Sequence, residues 1–351
     1  MKPFIYKKLI DWEYWPWYTY YFPLLPYAFY LALKSRSFGF FSAVNPGIEG
    51  SGNGLESKFK TLQLLPDKCK PASIYIHKGE RIEIVLDKVN SKNIRFPFII
   101  KPDIGFRGLL VKKINAKSEL SLYLKKYNSI NLIIQEFIDL KNECGIFYHR
   151  IPHEQKGKIT SITLKAFLSV KGDGKSTILN LIKEHPRARN FSKLIIELNK
   201  DKMDSIPQKN EEVILNFIGN HSKGTQFING NYLISNELTK LLDKLSRDIN
   251  GWFYGRLDVK YNDFEELLKG KNFKIIELNG IISEPTHIYD SGNGSYFKAL
   301  KSIKDHWSIL YTIGTKNKKL KNGEYTNLRY FISLCLNHKK YLQKIKKLSA
   351  N

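Results

Sequence analysis

A chain of 351 residues is long enough for two or three domains with a sizeable core. Its 57 basic residues outnumber 33 acidic ones, a formal charge of +24 that favours anionic partners: nucleotides, phosphorylated substrates or acidic lipid surfaces. The charge is spread along the chain and the aromatics crowd the N-terminus instead of interleaving with the lysines, which disfavours a nucleic-acid-binding module.

Residues 14–33 carry no charge and include Trp15, Trp17, six tyrosines and three prolines. The length just meets the roughly twenty apolar residues a membrane span needs, but Pro16, Pro23 and Pro26 oppose one smooth helix. The tyrosine and tryptophan content is that of an interfacial belt, and no small-residue cleavage site follows. A packed element or lid is expected first, a membrane-surface contact second and a true span last. Residues 45–54 form a glycine-rich loop without the lysine of a P-loop, read as a surface connection.

A helix is expected over 56–65, with Lys58 on its first turn, and a strand over 74–77. The period over 79–88 fits helix or strand. A short apolar run, 98–101, ends in Lys101-Pro102, and a glycine loop with Gly105, Arg107 and Gly108 leads into a strand at 109–114. Such a loop can fold over phosphates, although most are simply turns. Helix 118–127, strand 131–136 and strand 145–148 follow, and then one long strand over 159–170 containing Lys165. Residues 172–177 have the glycines of a Walker loop but not its spacing, so a helix-capping turn is expected there. A helix over 236–250 leads to Arg256-Leu257-Asp258-Val259, with a second strand at 273–278. From residue 295 onward the pattern is helical and lysine-rich, with basic clusters at 316–321 and 339–347. Cys69, Cys144 and Cys335 show no metal spacing and fit packed thiols in a reducing, cytoplasmic compartment.

The two strands near residues 257 and 275 bring oxygens together. Alternate residues of a strand share a face, so Glu277 and Asn279 project the same way and Asp258 joins them from the neighbouring strand. Two carboxylates and an amide oxygen make a hard-oxygen set suited to Mg²⁺ or Mn²⁺ and unsuited to zinc. The same residues fit equally well as sheet-edge groups or as salt-bridge partners of the many lysines.

Taken in order, Lys101-Pro102 with its glycine loop, Gln135-Glu136-Phe137-Ile138, Glu143, Arg256-x-Asp258 and Glu277-x-Asn279 resemble the ATP-grasp superfamily of carboxylate-amine ligases. Within it the motifs are most similar to the D-alanine-D-alanine ligase branch, while residues 170–174 and 220–225 resemble the ATP-grasp region of cyanophycin synthetase. The resemblance covers about residues 55–290 and implies an α+β, ATP-grasp fold of two α+β lobes clasping nucleotide, with a short divergent N-terminal domain. The domain boundaries expected are 1–54, 55–294 with lobes at about 72–140 and 141–294, and a basic helical extension at 295–351.

The resemblance further implies that Lys58 and Lys101 contact ATP phosphates beneath a lid containing Gly105, Arg107 and Gly108. Glu136, Phe137 and Ile138 would form the adenine hinge, Glu143 would hold the ribose, and Lys165 would make a cationic nucleotide or substrate contact. Asp258, Glu277 and Asn279 would hold Mg²⁺ or Mn²⁺, with Arg256 and Lys101 as catalytic cations. His221, Ser222, Gly224, Glu284 and His287 are candidates for the substrate side. The activity implied is ATP-dependent amide or peptide bond formation through an acylphosphate, on a carboxylate and an amine that the motifs do not identify. An amphipathic or membrane-borne substrate, a cytoplasmic location at the inner face of the membrane and a homodimer are all compatible with the pattern. The rival readings are an ATP-grasp phosphotransferase and a non-catalytic, membrane- or nucleic-acid-associated protein that retains the fold.

Overall fold

Runs of isoleucine and leucine alternating with polar residues build the first sheet, and the computed structural model, which describes residues 10–350, pairs them in the order β1-β4-β2-β3. These strands are β1 (Ser73–Ile76), β2 (Phe98–Pro102), β3 (Lys112–Ile114) and β4 (Leu132–Glu136), and the pairings are antiparallel. Helices Ile82–Ser91 and Lys117–Lys126 contribute Val85, Val89, Leu120, Tyr123 and Leu124 to the core against it, together with Ile345 from the C-terminal helix Leu328–Ala350. The segment of ambiguous period at 79–88 is thus resolved as helix. Its apolar residues Ile82, Val85, Leu86 and Val89 recur at helical spacing and meet the same cluster.

The second sheet places β11 (Phe273–Leu278), β10 (Tyr254–Tyr261), β5 (Asn142–His149) and β6 (Lys158–Ala166) side by side in that order. The central strands are antiparallel, with Asp258 opposite Glu277 on one side and Gly145 on the other. A bulge lies between Asp258 and Val259. Bulges re-aim side chains, and they concentrate beside functional sites. The α+β class expected from the sequence is what the chain adopts.

Leu164–Ile228 forms a compact unit of its own, and the rest of the described chain forms the other. In the smaller unit β7 (Leu168–Lys171) pairs with β8 (Glu212–Asn216), and helices Ile178–Glu184 and Ser192–Leu198 bury Ile178, Ile182 and Ile195 against Leu168, Val170 and Leu215. The chain leaves it through β9 (Gln226–Asn229). The single strand expected over 159–170 is two strands separated at Phe167, because a continuous alternating pattern does not reveal where a chain changes sheet. The turn at 172–177 is the capping device expected. Asp173 accepts hydrogen bonds from the Lys175 and Ser176 amides at 2.8 and 2.7 Å, and Thr177 caps the helix through the Asn180 amide.

The aromatic leader packs, as its first-ranked reading holds. Tyr20 is fully buried against Ile288, Ala299 and Ile303, and Leu31 of helix Leu25–Ser35 meets Phe147, Tyr254, Leu310 and Ile313. Helix Tyr296–Lys319 supplies most of that platform. Among the described residues no helix is long and apolar enough to cross a membrane.

The loop at 45–54 is not a surface connection. Asn45 and Ser51 are buried, and Asn45 accepts from the Phe253 and Tyr254 amides while donating to the Tyr254 and Ser51 carbonyls. A Cβ on Gly280 would stand 2.2 Å from the Ser51 carbonyl oxygen, so the loop and the segment after β11 touch backbone to backbone. Composition marked the loop as a surface connection; its glycines serve this close approach instead.

Candidate active site

Residues directly opposite in adjacent strands share a face. Asp258, Glu277 and Gly145 therefore lie on one side of the second sheet, with Arg256 two residues from Asp258 on the same side. The sequence alternation places Asn279 there too. Its amide nitrogen lies 3.4 Å from Asp258 Oδ2, while its backbone N–H donates to the Arg256 carbonyl and its carbonyl accepts from the Trp252 indole. These contacts hold Asn279 beyond the end of β11.

Each carboxylate meets a cation, as burial requires. Arg256 Nε donates to Asp258 Oδ1 at 3.0 Å, its Nη2 lies 3.4 Å from Oδ2, and its Nη1 donates to the Glu284 carbonyl at 3.1 Å. Gly145 makes this possible, since a Cβ there would lie 2.9 Å from Arg256 Cδ and 3.3 Å from Asp258 Oδ1. Glu277 accepts a hydrogen bond from the Lys58 ammonium. Burial works against the charge of each partner, but the mutual attraction wins, holding the Glu277 carboxyl below and the Lys58 ammonium above their usual ranges.

Lys58 stands at the start of helix Lys58–Gln63, which Ser57 caps through the Lys60 amide. The Ser57 hydroxyl and the Phe59 amide both donate to Asp103 Oδ1, at 2.8 and 3.0 Å, so the helix start is tied to the glycine loop. Gly105 lies against the Lys58 side chain, 3.2 Å from Cε to an added Cβ. Arg107 is exposed in a left-handed conformation, its guanidinium 5.1 Å from the centre of the Phe106 ring. Lys101, on β2, has its pKa pushed down to about 8, first by burial and then by the nearby Lys58 charge, with Glu277 pulling it back up.

Of the expected hinge residues, Glu136 ends β4, and Phe137 and Ile138 follow it. Glu136 pairs its own amide and carboxylate with the carbonyl and amide of Ala72, and Phe137 has the Lys113 ammonium 3.9 Å above its ring. Gln135 donates to the Ile276 carbonyl at 3.2 Å, joining the first sheet to β11. Glu143 is buried on β5 opposite Lys260. The structure thus brings Lys58, Gly105, Arg256, Asp258, Glu277 and Asn279 together from distant parts of the sequence, with Lys101 near enough for the Glu277 and Lys58 charges to act on it.

Among the residues expected on the substrate side, Glu284 receives two phenols: Tyr21 from the aromatic leader on one oxygen and Tyr289 on the other at 2.8 Å. His287 is committed to Ser161 through Nδ1 at 2.7 Å, and burial lowers its pKa to about 4, so it is neutral at physiological pH. Lys165, His221, Ser222 and Gly224 lie in the smaller unit. There Ser222 bonds to Asn220 at 2.8 Å, the His221 ring lies 5.6 Å from that of Phe227, and the Gly224 carbonyl accepts from Arg187 at 2.7 Å. Sequence reasoning missed Tyr21, Asn45, Ser57, Asp103 and Gly145. It also missed Glu56, whose carboxylate accepts from the Gly54 amide at 2.5 Å and whose pKa burial raises. Of these only Asn45, inside an Asn-Pro-Gly turn, carried a local signal.

A divalent cation fits this donor set. Among the described residues no cluster of three or more His, Cys, Asp or Glu side chains could hold a metal, but Asp258 and Glu277 face each other across two strands with the Asn279 amide beside them. Two carboxylates and one amide oxygen are hard donors of the kind Mg²⁺ takes, and here Arg256 and Lys58 occupy the two carboxylates.

By sequence, no family model and no curated protein matches the chain. By structure it is similar to several solved ligases. A bifunctional glutathione synthetase from Pasteurella multocida matches at 17% identity and TM-score 0.37, over 73% of this chain and 38% of that one. D-alanine--D-alanine ligase from Bacillus anthracis matches at 15% identity and TM-score 0.39, over 76% and 68%. The ATP-grasp ligase PsnB, solved with a minimal precursor, matches at 13% identity and TM-score 0.37, over 71% and 60%. The chain therefore spans less than two thirds of the first and third of these proteins.

Proposed function

We propose that this protein is an ATP-grasp ligase, which uses ATP and Mg²⁺ or Mn²⁺ to join a carboxylate to an amine. One observation carries the proposal: Asp258 and Glu277 sit opposite each other in paired strands with Asn279 beside them, each carboxylate held by its own cation, Arg256 and Lys58, and Lys101 near enough to feel their charges. A purely structural pair of salt bridges needs one cation per carboxylate and no further lysine held at a lowered pKa. Perturbed groups gathered around a shared site are a mark of function.

A carboxylate does not condense with an amine at neutral pH without activation. In the proposed reaction its oxygen takes the γ-phosphoryl group of ATP, ADP leaves, the amine attacks the resulting acylphosphate, and phosphate departs as the amide forms. Bound at the three oxygens, the divalent ion would neutralise phosphate charge. Lys58 and Lys101 bind phosphate oxygens, and the loop containing Gly105, Arg107 and Gly108 covers them. Glu136, Phe137 and Ile138 flank the base and Glu143 the ribose. Arg256, oriented by Asp258 and the Glu284 carbonyl, stabilises the oxyanion, for which a planar, permanently charged guanidinium is suited. Glu284, with Tyr21 and Tyr289, lines the substrate side beside Arg256. For Lys165, His221, Ser222 and Gly224 the assignment rests on motif resemblance alone.

The test is ADP release measured over panels of carboxylates and amines, with mass spectrometry of any product. Release that requires both substrates supports the ligase. Release independent of any amine would make the protein a phosphotransferase, and no release with any pair would refute the proposal.

A further inference from the structure

The leader has a second face. In helix Leu25–Ser35, Leu31 and Ala32 are buried on the core side, while Leu25, Phe29 and Leu33, spaced four residues apart, point out of the protein, Phe29 56% and Leu33 73% exposed. Trp17 and Phe22, 55% and 59% exposed, extend the surface toward the start of the chain, their rings 6.2 Å apart and edge to face, with Tyr18 against Phe22 at 6.0 Å. Phe38 continues it beyond the helix, its ring 6.2 Å from that of Phe29. Scattered exposed apolar residues are ordinary, but two exposed aromatic groups, Trp17-Tyr18-Phe22 and Phe29-Phe38, on one short leader mark an interaction surface.

The rim identifies the partner. Lys34 lies over the Tyr30 and Tyr311 rings at 5.6 and 5.1 Å, Lys304 lies 5.0 Å over the Tyr27 ring, and Arg36 is exposed at the helix C-cap. The acidic residue nearest Lys304 on its helix, Asp305, is paired with Lys301 at 2.7 Å, and Asp11 and Glu13 stand at the far, N-terminal end of the leader. The surface is thus apolar and aromatic at its centre and cationic at its edge. A symmetric contact between two copies would bring two cationic rims of like sign to the same interface. An anionic bilayer would attract the same charges while accepting the rings at headgroup depth, where tryptophan and tyrosine partition. No described helix is long and apolar enough to span a membrane, so the contact would be interfacial.

We propose that the face formed by Trp17, Phe22, Phe29, Leu33 and Phe38 docks this protein on an anionic membrane surface. The surface lies outside the candidate active site, and the proposal stands or falls independently of the ligase reading.

The test is sedimentation of the full chain with phosphatidylcholine vesicles, with and without about one third phosphatidylglycerol, across a salt series. Binding is expected to the anionic vesicles, to weaken with salt, and to fall about tenfold or more in the F29S/L33S/F38S variant, which loses most of the outer helical face. The K34Q/R36Q/K304Q variant reads the same surface by its charge and should flatten the salt dependence. Absence of binding to either vesicle, or equal binding by wild type and both variants, would overturn the proposal. So would a wild-type dimer in light scattering that F29S/L33S/F38S converts to monomer, since that would assign the face to a second copy of the chain.

Discussion

Replacing Glu277 by glutamine distinguishes a salt bridge that supports the fold from a carboxylate that supports chemistry. Lys58 and Glu277 keep 22% and 29% of their side chains exposed, so their pairing lies between the surface and buried regimes. Surface pairs contribute below about 1 kcal/mol, and breaking a buried one costs about 3–5 kcal/mol. A loss of about 2–3 kcal/mol is therefore expected for Glu277→Gln, and a similar loss for Lys58→Met. Each leaves one charge buried without its partner. The double variant removes both charges together and should recover to within about 1 kcal/mol of wild type, because two neutral side chains of similar volume replace the pair.

Turnover should not follow stability. If Glu277 holds a divalent ion and Lys58 a phosphate, the double variant folds well and still lacks both, and ADP release should remain at least about 100-fold below wild type. Chemical denaturation gives the stability cycle and a coupled ADP assay the activity. A double variant that recovered both would show that the pair serves only the fold, and would refute the assignment of Glu277 as a metal ligand.

Lys101, with a pKa of about 8, should make ATP binding pH-dependent: the cation is half lost at pH 8 and almost wholly lost by pH 9, so the dissociation constant measured by calorimetry should rise about fivefold between pH 8 and 9. Lys101→Arg should remove that dependence, and an unchanged slope would exclude Lys101 from phosphate binding. Gly145→Ala places a Cβ 2.9 Å from Arg256 Cδ, forcing the guanidinium to move. ADP release should fall about 100-fold with a stability cost of about 1–2 kcal/mol, whereas near-normal turnover would remove Arg256 from the reaction. Burial lowers the pKa of His306 to about 3 and of His149 and His287 to about 4. They stay neutral in the folded protein while the unfolded chain takes up protons, so their stabilisation is present above about pH 6.5 and lost as pH falls toward 4. Each contributes a slope of about 1.4 kcal/mol per pH unit. His306→Phe should reduce proton uptake on unfolding by about one at pH 5, measured from the pH dependence of the denaturation midpoint, and an unaltered slope would count against a neutral buried His306.

What the sequence revealed was local. Alternation along 273–278 was enough to put Glu277 and Asn279 on one face, and the strand at Asp258 fell opposite, because a short antiparallel pair has few ways to bury its isoleucines and leucines. The glycine loop after Lys101 and the capping turn at Asp173 were legible for the same reason: each is decided by a few adjacent residues. The contacts that finish the site are not local. Tyr21 reaches Glu284 across 263 positions and Lys58 reaches Glu277 across 219, and no periodicity encodes either. The loop at 45–54 was misread because glycine has the same composition whether it frees a surface turn or lets two backbones touch, as at Gly280.

The two readings of Asp258 and Glu277, salt-bridge partner and metal ligand, answer the same electrostatic demand. A carboxylate turned away from water must face positive charge, and that demand is met by Arg256, two residues from Asp258, and by Lys58, 219 residues from Glu277. A divalent ion would draw on the same oxygen lone pairs, so the pairing that stabilises the fold would compete with the binding proposed here. Glu277→Gln alone should then weaken Mg²⁺ binding, while Lys58→Met alone, by releasing the carboxylate, should strengthen it in the absence of nucleotide.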